Sequence, residues 1–182
     1  MIIKHILTVA AFMLLATFSY SQMYDVSSTA EGINEVPPVM SAGTAALTGT
    51  YDASTAMITV SVTYSGLSSG LAAAHLHAGP AGMNGGIIIN LAPATGATSG
   101  TFSGTFPVAA ADEAGLIAGN VYVNLHTPNN GGGELRGQLT LALVPPVNAA
   151  IPTMGQWGLM ALGLLVMIFG IVSLRQRQVT MA

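Results

Sequence analysis

Residues 56–64 read Ala-Met-Ile-Thr-Val-Ser-Val-Thr-Tyr, alternating apolar and hydroxyl side chains without a break. Successive side chains of an extended chain point to opposite faces. This run therefore puts Ile58, Val60, Val62 and Tyr64 on one face and Thr59, Ser61 and Thr63 on the other. A strand with one apolar face is stable only when it pairs with others of its kind and closes that face against a second layer. The rest of the middle of the chain supplies them. Thr44 to Tyr51 precedes this strand across Asp52-Ala53-Ser54-Thr55, a composition suited to a hairpin turn. Residues 101–108 place Phe102, Phe106 and Val108 on one face. Residues 120–126 send Val121, Val123 and Leu125 inward and Tyr122, Asn124 and His126 to the opposite side. Leu135, Leu139, Leu141 and Leu143 make the apolar face of a last strand. Gly-, Pro- and Asn-rich stretches at 79–86, 93–100 and 128–133 separate these segments. Only 109–118 departs from period two, where Asp112 is placed to cap a short helical turn that Gly119 ends. The fold class is all-β, an antiparallel β-sandwich.

Charge narrows the functions open to such a domain. Lys4 and the pair Arg175 and Arg177 lie at the extremes of the chain. Between them Arg136 is the one basic residue, against Asp25, Glu31, Glu35, Asp52, Asp112, Glu113 and Glu134. An acidic domain of this kind repels phosphate backbones, which argues against nucleic acid as a partner. The chain has no cysteine, so its core must hold without disulfides and thiolate chemistry is excluded.

The two ends read as addresses. Lys4 followed by an apolar run from Ile6 to Phe18 has the layout of a secretory signal peptide over residues 1–21. Ser19 and Ser21 are placed for cleavage after Ser21. At the other end, residues 157–174 carry no charge, and as a helix they extend about 27 Å, which predicts one C-terminal transmembrane helix. Trp157 stands at one end of it, and Arg175 and Arg177 mark the cytoplasmic side. Residues 144–150, with Pro145-Pro146 and small neighbours, read as a linker from a domain at 22–143 to this tail.

Before that helix stand Ile151, Pro152, Thr153 and Met154, then Trp157 and Gly158. The segment 151–182 resembles the bacterial IPTL-type C-terminal sorting signal, with Met154 where the family usually has Leu. The resemblance implies an exosortase-like processing enzyme as partner, cleavage near the motif, and membrane attachment through the helix until then. A second resemblance lies in Asn34-Glu35-Val36-Pro37-Pro38-Val39, in Tyr64-Ser65-Gly66-Leu67 and in Ala74-His75-Leu76-His77-Ala78-Gly79-Pro80. It continues in 116–127 and in Gly133-Glu134-Leu135-Arg136-Gly137-Gln138-Leu139. In this order the segments look like the CHRD domain, named after chordin. That resemblance implies an immunoglobulin-like or superoxide-dismutase-like sandwich and no settled activity.

His75 and His77, two apart on a strand, point to one face, and His126 ends another strand on its non-core side. Three imidazoles so placed can ligate copper or zinc, with Glu134 as a further ligand or as the group that orients an imidazole. The same residues can instead tie strand ends and loops together, with Asn124 and Glu134 as partners and Glu134 paired to Arg136. The expectation is an exported, surface-sorted, non-enzymatic binding or structural module of the cell envelope that meets an envelope protein or glycan. The alternative is a copper- or zinc-binding β-sandwich, open to redox activity, built on the three histidines.

Overall fold

The computed structural model describes residues 22–145 and 154–180, and these fall in two compact units divided between Pro145 and Pro146. In the first unit the alternating run forms β3 (Met57–Ser65), which pairs residue for residue with β2 (Thr44–Asp52). Ile58, Val60, Val62 and Tyr64 are buried and the residues between them exposed, as period two requires. Burying each such aliphatic side chain contributes about 1.5–3 kcal/mol. The Asp52 carboxylate closes the hairpin by accepting from the Ser54 backbone N–H at 2.9 Å and the Ser54 hydroxyl at 2.7 Å.

The remaining strands are β1 (Met23–Glu31), β4 (Ala73–Ala78), β5 (Ile87–Asn90), β6 (Gly100–Pro107), β7 (Val121–Thr127), β8 (Asn130–Gln138) and β9 (Thr140–Leu143). All pairings are antiparallel, in the order β5-β4-β7-β8-β1-β2-β3-β6, with β9 also on β1. β8 and β9 run along β1 in one register, Glu31 opposite Arg136 and Tyr24 opposite Leu143. They act as a single long strand that leaves β7 and turns onto β1. Gly137 permits the crossing, since a Cβ there would meet the Thr29 carbonyl and the Ser28 hydroxyl. The sheet thus folds over one core to which both ends contribute, Ile89 from β5 and Phe102 and Phe106 from β6. The result is sandwich-like and nearly closed.

Several expectations change on contact with the structure. α1 (Ala110–Ile117) has Ala109, not Asp112, at its cap. Asp112 lies in the first turn, where a carboxylate favours the helix N-terminus without bonding it. Gly119 does end the helix, at φ +74°, with its N–H bonded to the Leu116 carbonyl. Leu143 is exposed because β9 has passed the end of the core by that point. The face of β7 that carries Tyr122 and Asn124, read as the side away from the core, is buried as well. β7 is a central strand, and segments 79–86 and 32–41 fold over its outer side.

In the second unit α2 runs Met154–Thr180, over the stretch where the transmembrane helix was expected. The correction is that among the described residues no helix is long and apolar enough to cross a membrane. The described apolar side chains end at Val172, and those of Ser173 and Leu174, the last two of the expected span, lie outside the described residues. The expected signal peptide, most of the linker, Ile151–Thr153 of the sorting motif and the side chains of Met154, Arg175 and Arg177 also lie outside them.

Candidate metal centre

β4 buries Ala74 and Leu76 in the core, which turns His75 and His77 together to the outer face. The ladder sets His77 opposite Tyr122 and His75 opposite Asn124, with His126 across from Ala73 on β7. This brings three imidazoles together. Ring centroids are 4.9 Å apart for His75 and His126, 5.7 Å for His75 and His77, and 5.8 Å for His77 and His126. One ring nitrogen from each lies within 4.8 Å of those of the other two.

Hydrogen bonding sorts the ring nitrogens. His77 Nδ1 meets the Gly85 carbonyl at 3.0 Å and His126 Nδ1 the Gly131 carbonyl at 3.1 Å. A carbonyl only accepts, so each Nδ1 carries the hydrogen and each Nε2 keeps a lone pair. Those two Nε2 atoms, with His75 Nδ1, are buried and have no hydrogen-bond partner. Burial lowers the basicity of all three rings; the neighbouring histidines add to this at His75 and His126, and Arg136 adds to it at His77. The rings are therefore held neutral, the form that ligates metals.

Behind His77 lies a stack. Tyr122 lies parallel to it at 4.9 Å, and the Arg136 guanidinium carbon sits 3.6 Å from the centre of the Tyr122 ring. Arg136 also grips the covering loop, donating to the Pro80 and Met83 carbonyls and to Asn84 Oδ1. Gly85 in that loop donates its N–H to the Tyr122 hydroxyl while its carbonyl holds His77. Loop, arginine, tyrosine and histidine thus fix one another.

Glu134 takes no part in the histidine group, contrary to expectation, and does not pair with Arg136. Its carboxylate accepts from the Ser41, Ser68 and Thr127 hydroxyls and from the Ser68 N–H, each at 2.7 Å, and from Asn130 Nδ2 at 3.2 Å. Burial would raise this carboxyl, but those donors outweigh it and hold the pKa at about 2. The acid facing Arg136 is Glu35, 5% exposed, which the spacing of charged residues gave no reason to single out. Burial pushes it up to about 7 against the opposing pull of Arg136. Its Oε1 and Asn124 Oδ1 both press on Gly133, where φ is +133° and a Cβ would collide with both. Arg136 carried one visible signal, as the only basic residue between Lys4 and Arg175.

An antiparallel, nearly closed β-sandwich with a histidine cluster on one outer face defines the class of domain. Residues 26–139 match the CHRD domain, and the chain belongs to that family. Residues 149–178 match the IPTL-CTERM motif, which implies an exported, envelope-associated protein handled by a sorting enzyme. No curated protein and no solved structure matches the chain.

Proposed function

We propose that this chain is an exported, surface-sorted module whose β domain binds a copper or zinc ion through His75, His77 and His126. The observation that carries the reading is the set of three buried ring nitrogens without partners. A buried polar atom without a partner costs about 1–3 kcal/mol, and three of them on rings gathered at one point are hard to account for as strand-end braces. Two of the rings have their other nitrogen fixed by a backbone carbonyl, the arrangement that orients imidazole ligands on metals. An ion bonds imidazole nitrogen at about 2.0–2.1 Å, so the rings close slightly to meet it. Glu134 is no ligand in this reading; it ties together the loops behind the site.

The test is metal content of the full chain after exposure to copper and zinc and exhaustive dialysis. Near-stoichiometric metal, absent from the His75→Ala/His77→Ala variant, is the expected result. A chain that retains none overturns the reading and turns the search to an envelope protein or glycan. Export and sorting have a separate readout. Mass spectrometry of the protein from its host should find an N-terminus at Gln22 and a C-terminus near Thr153, the latter cut by an exosortase-like enzyme. An intact Ala182 would sink the sorting proposal.

A further inference from the structure

Resting on the metal reading, we infer that the three-histidine site selects cuprous copper, holding Cu(I) in preference to Cu(II) and zinc. The ligand set is the first ground. Three neutral imidazoles bring no negative charge, and among the described residues no carboxylate joins the group. Glu134, the acid closest in sequence to these strands, is spent on hydroxyl and N–H donors. Dications gain most from anionic ligands and lose most when these are missing, because ion solvation energy rises steeply with charge.

The second ground is a fixed cation. Arg136 is 1% exposed, sits 3.6 Å from the Tyr122 ring, and Tyr122 stacks on His77 at 4.9 Å. Little water screens that charge, and an arginine cannot discard its proton. Its countercharge is incomplete, since Glu35 holds its proton up to about pH 7. A metal carrying two charges is repelled by that guanidinium more strongly than one carrying a single charge.

Coordination number is the third ground. Three imidazole nitrogens, with no carboxylate or thiolate beside them among the described residues, suit a d¹⁰ cuprous ion without further ligands, whereas Cu(II) favours a tetragonal set of four or more and zinc must add a fourth ligand such as water. His77 is nearly buried while His75 and His126 are partly open, so an ion enters from their side.

The experiment is competition of the full chain against colorimetric chelators for Cu(I), for Cu(II) and for zinc, with a redox titration of the copper-loaded protein. The expected result is Cu(I) held most tightly. The Arg136→Met variant should lower the Cu(I):Cu(II) affinity ratio about tenfold, a fall of about 59 mV for one electron. Arg136→Lys, which keeps the charge, should preserve the ratio. Should Arg136→Met not fold, Glu35→Gln at pH 8 gives the opposite sign, removing the countercharge and raising the ratio. Cu(II) or zinc held as tightly as Cu(I), or a ratio indifferent to these charges, overturns the inference and leaves the metal reading standing. Retention of no ion in any form overturns the metal reading itself.

Discussion

Two polar clusters are buried around the β4-β7-β8 half of the sheet, and they differ in one respect. Around Glu134 each carboxylate oxygen meets hydroxyl or N–H donors drawn from Ser41, Ser68, Thr127 and Asn130. Around the histidines each ring keeps one buried nitrogen without a hydrogen-bond partner, and a nitrogen of each ring lies within 4.8 Å of the others. A saturated cluster has nothing left to offer a ligand, and its work is to hold segments together. An unsaturated one costs stability in the empty protein and recovers it on binding. Incomplete hydrogen bonding on three gathered imidazoles, against a saturated carboxylate, separates the site from the brace.

The largest effect should follow from removing the brace. Glu134→Ala takes a fully buried carboxylate away from three hydroxyls and a backbone N–H, so the loss should be about 3–5 kcal/mol by urea denaturation. Metal bound per folded molecule should not change. A large loss of metal with little loss of stability would reverse the roles assigned to the two clusters. The same carboxylate predicts acid sensitivity. Its folded pKa, about 2, lies below the ordinary 4.5, so its stabilisation is fully present above about pH 4.5 and is lost as pH falls toward 2.

Glu35 has the opposite sign. Its carboxyl is raised from 4.5 to about 7, so the folded state binds the extra proton and stability declines as pH rises through that window. The three histidines, lowered by burial, act against this by favouring the folded state as pH rises toward 6.5. The clean readout is therefore a difference. Relative to wild type, Glu35→Gln should gain stability steadily between pH 4.5 and 7, by about 2–3 kcal/mol in all. A difference that stays flat across this range would mean that Glu35 is ionised throughout.

What could be seen in the sequence follows the same division. β3 was legible because one of its faces meets water, leaving a strict alternation of Ile58, Val60 and Val62 with Thr59, Ser61 and Thr63. β1 was not, since it buries only Val26 and Ala30 and is a strand because β2 and β9 pair on either side of it. The histidines stood out because His75 and His77 share a face by spacing alone. The outer face of β7 was read only as the side away from the core, because its cover comes from segments far along the chain, where Asn84 bonds the Val36 carbonyl. Glu134 was misassigned for the same reason: Ser41 lies 93 residues away and Ser68 lies 66, and serines at such separations leave no pattern.

The smallest change in stability should come from the most informative substitution. His75 Nδ1 has no hydrogen-bond partner, and the ring is only partly buried. In the metal-free protein His75→Ala should therefore shift unfolding by less than about 1 kcal/mol, the range of substitutions that break no network. In wild type, copper at a hundred times its dissociation constant should add about 2.7 kcal/mol, whereas the variant should gain little. The two measurements together separate a ligand from a brace. A brace would show its loss without metal and none in the response to metal, and a ligand shows the reverse.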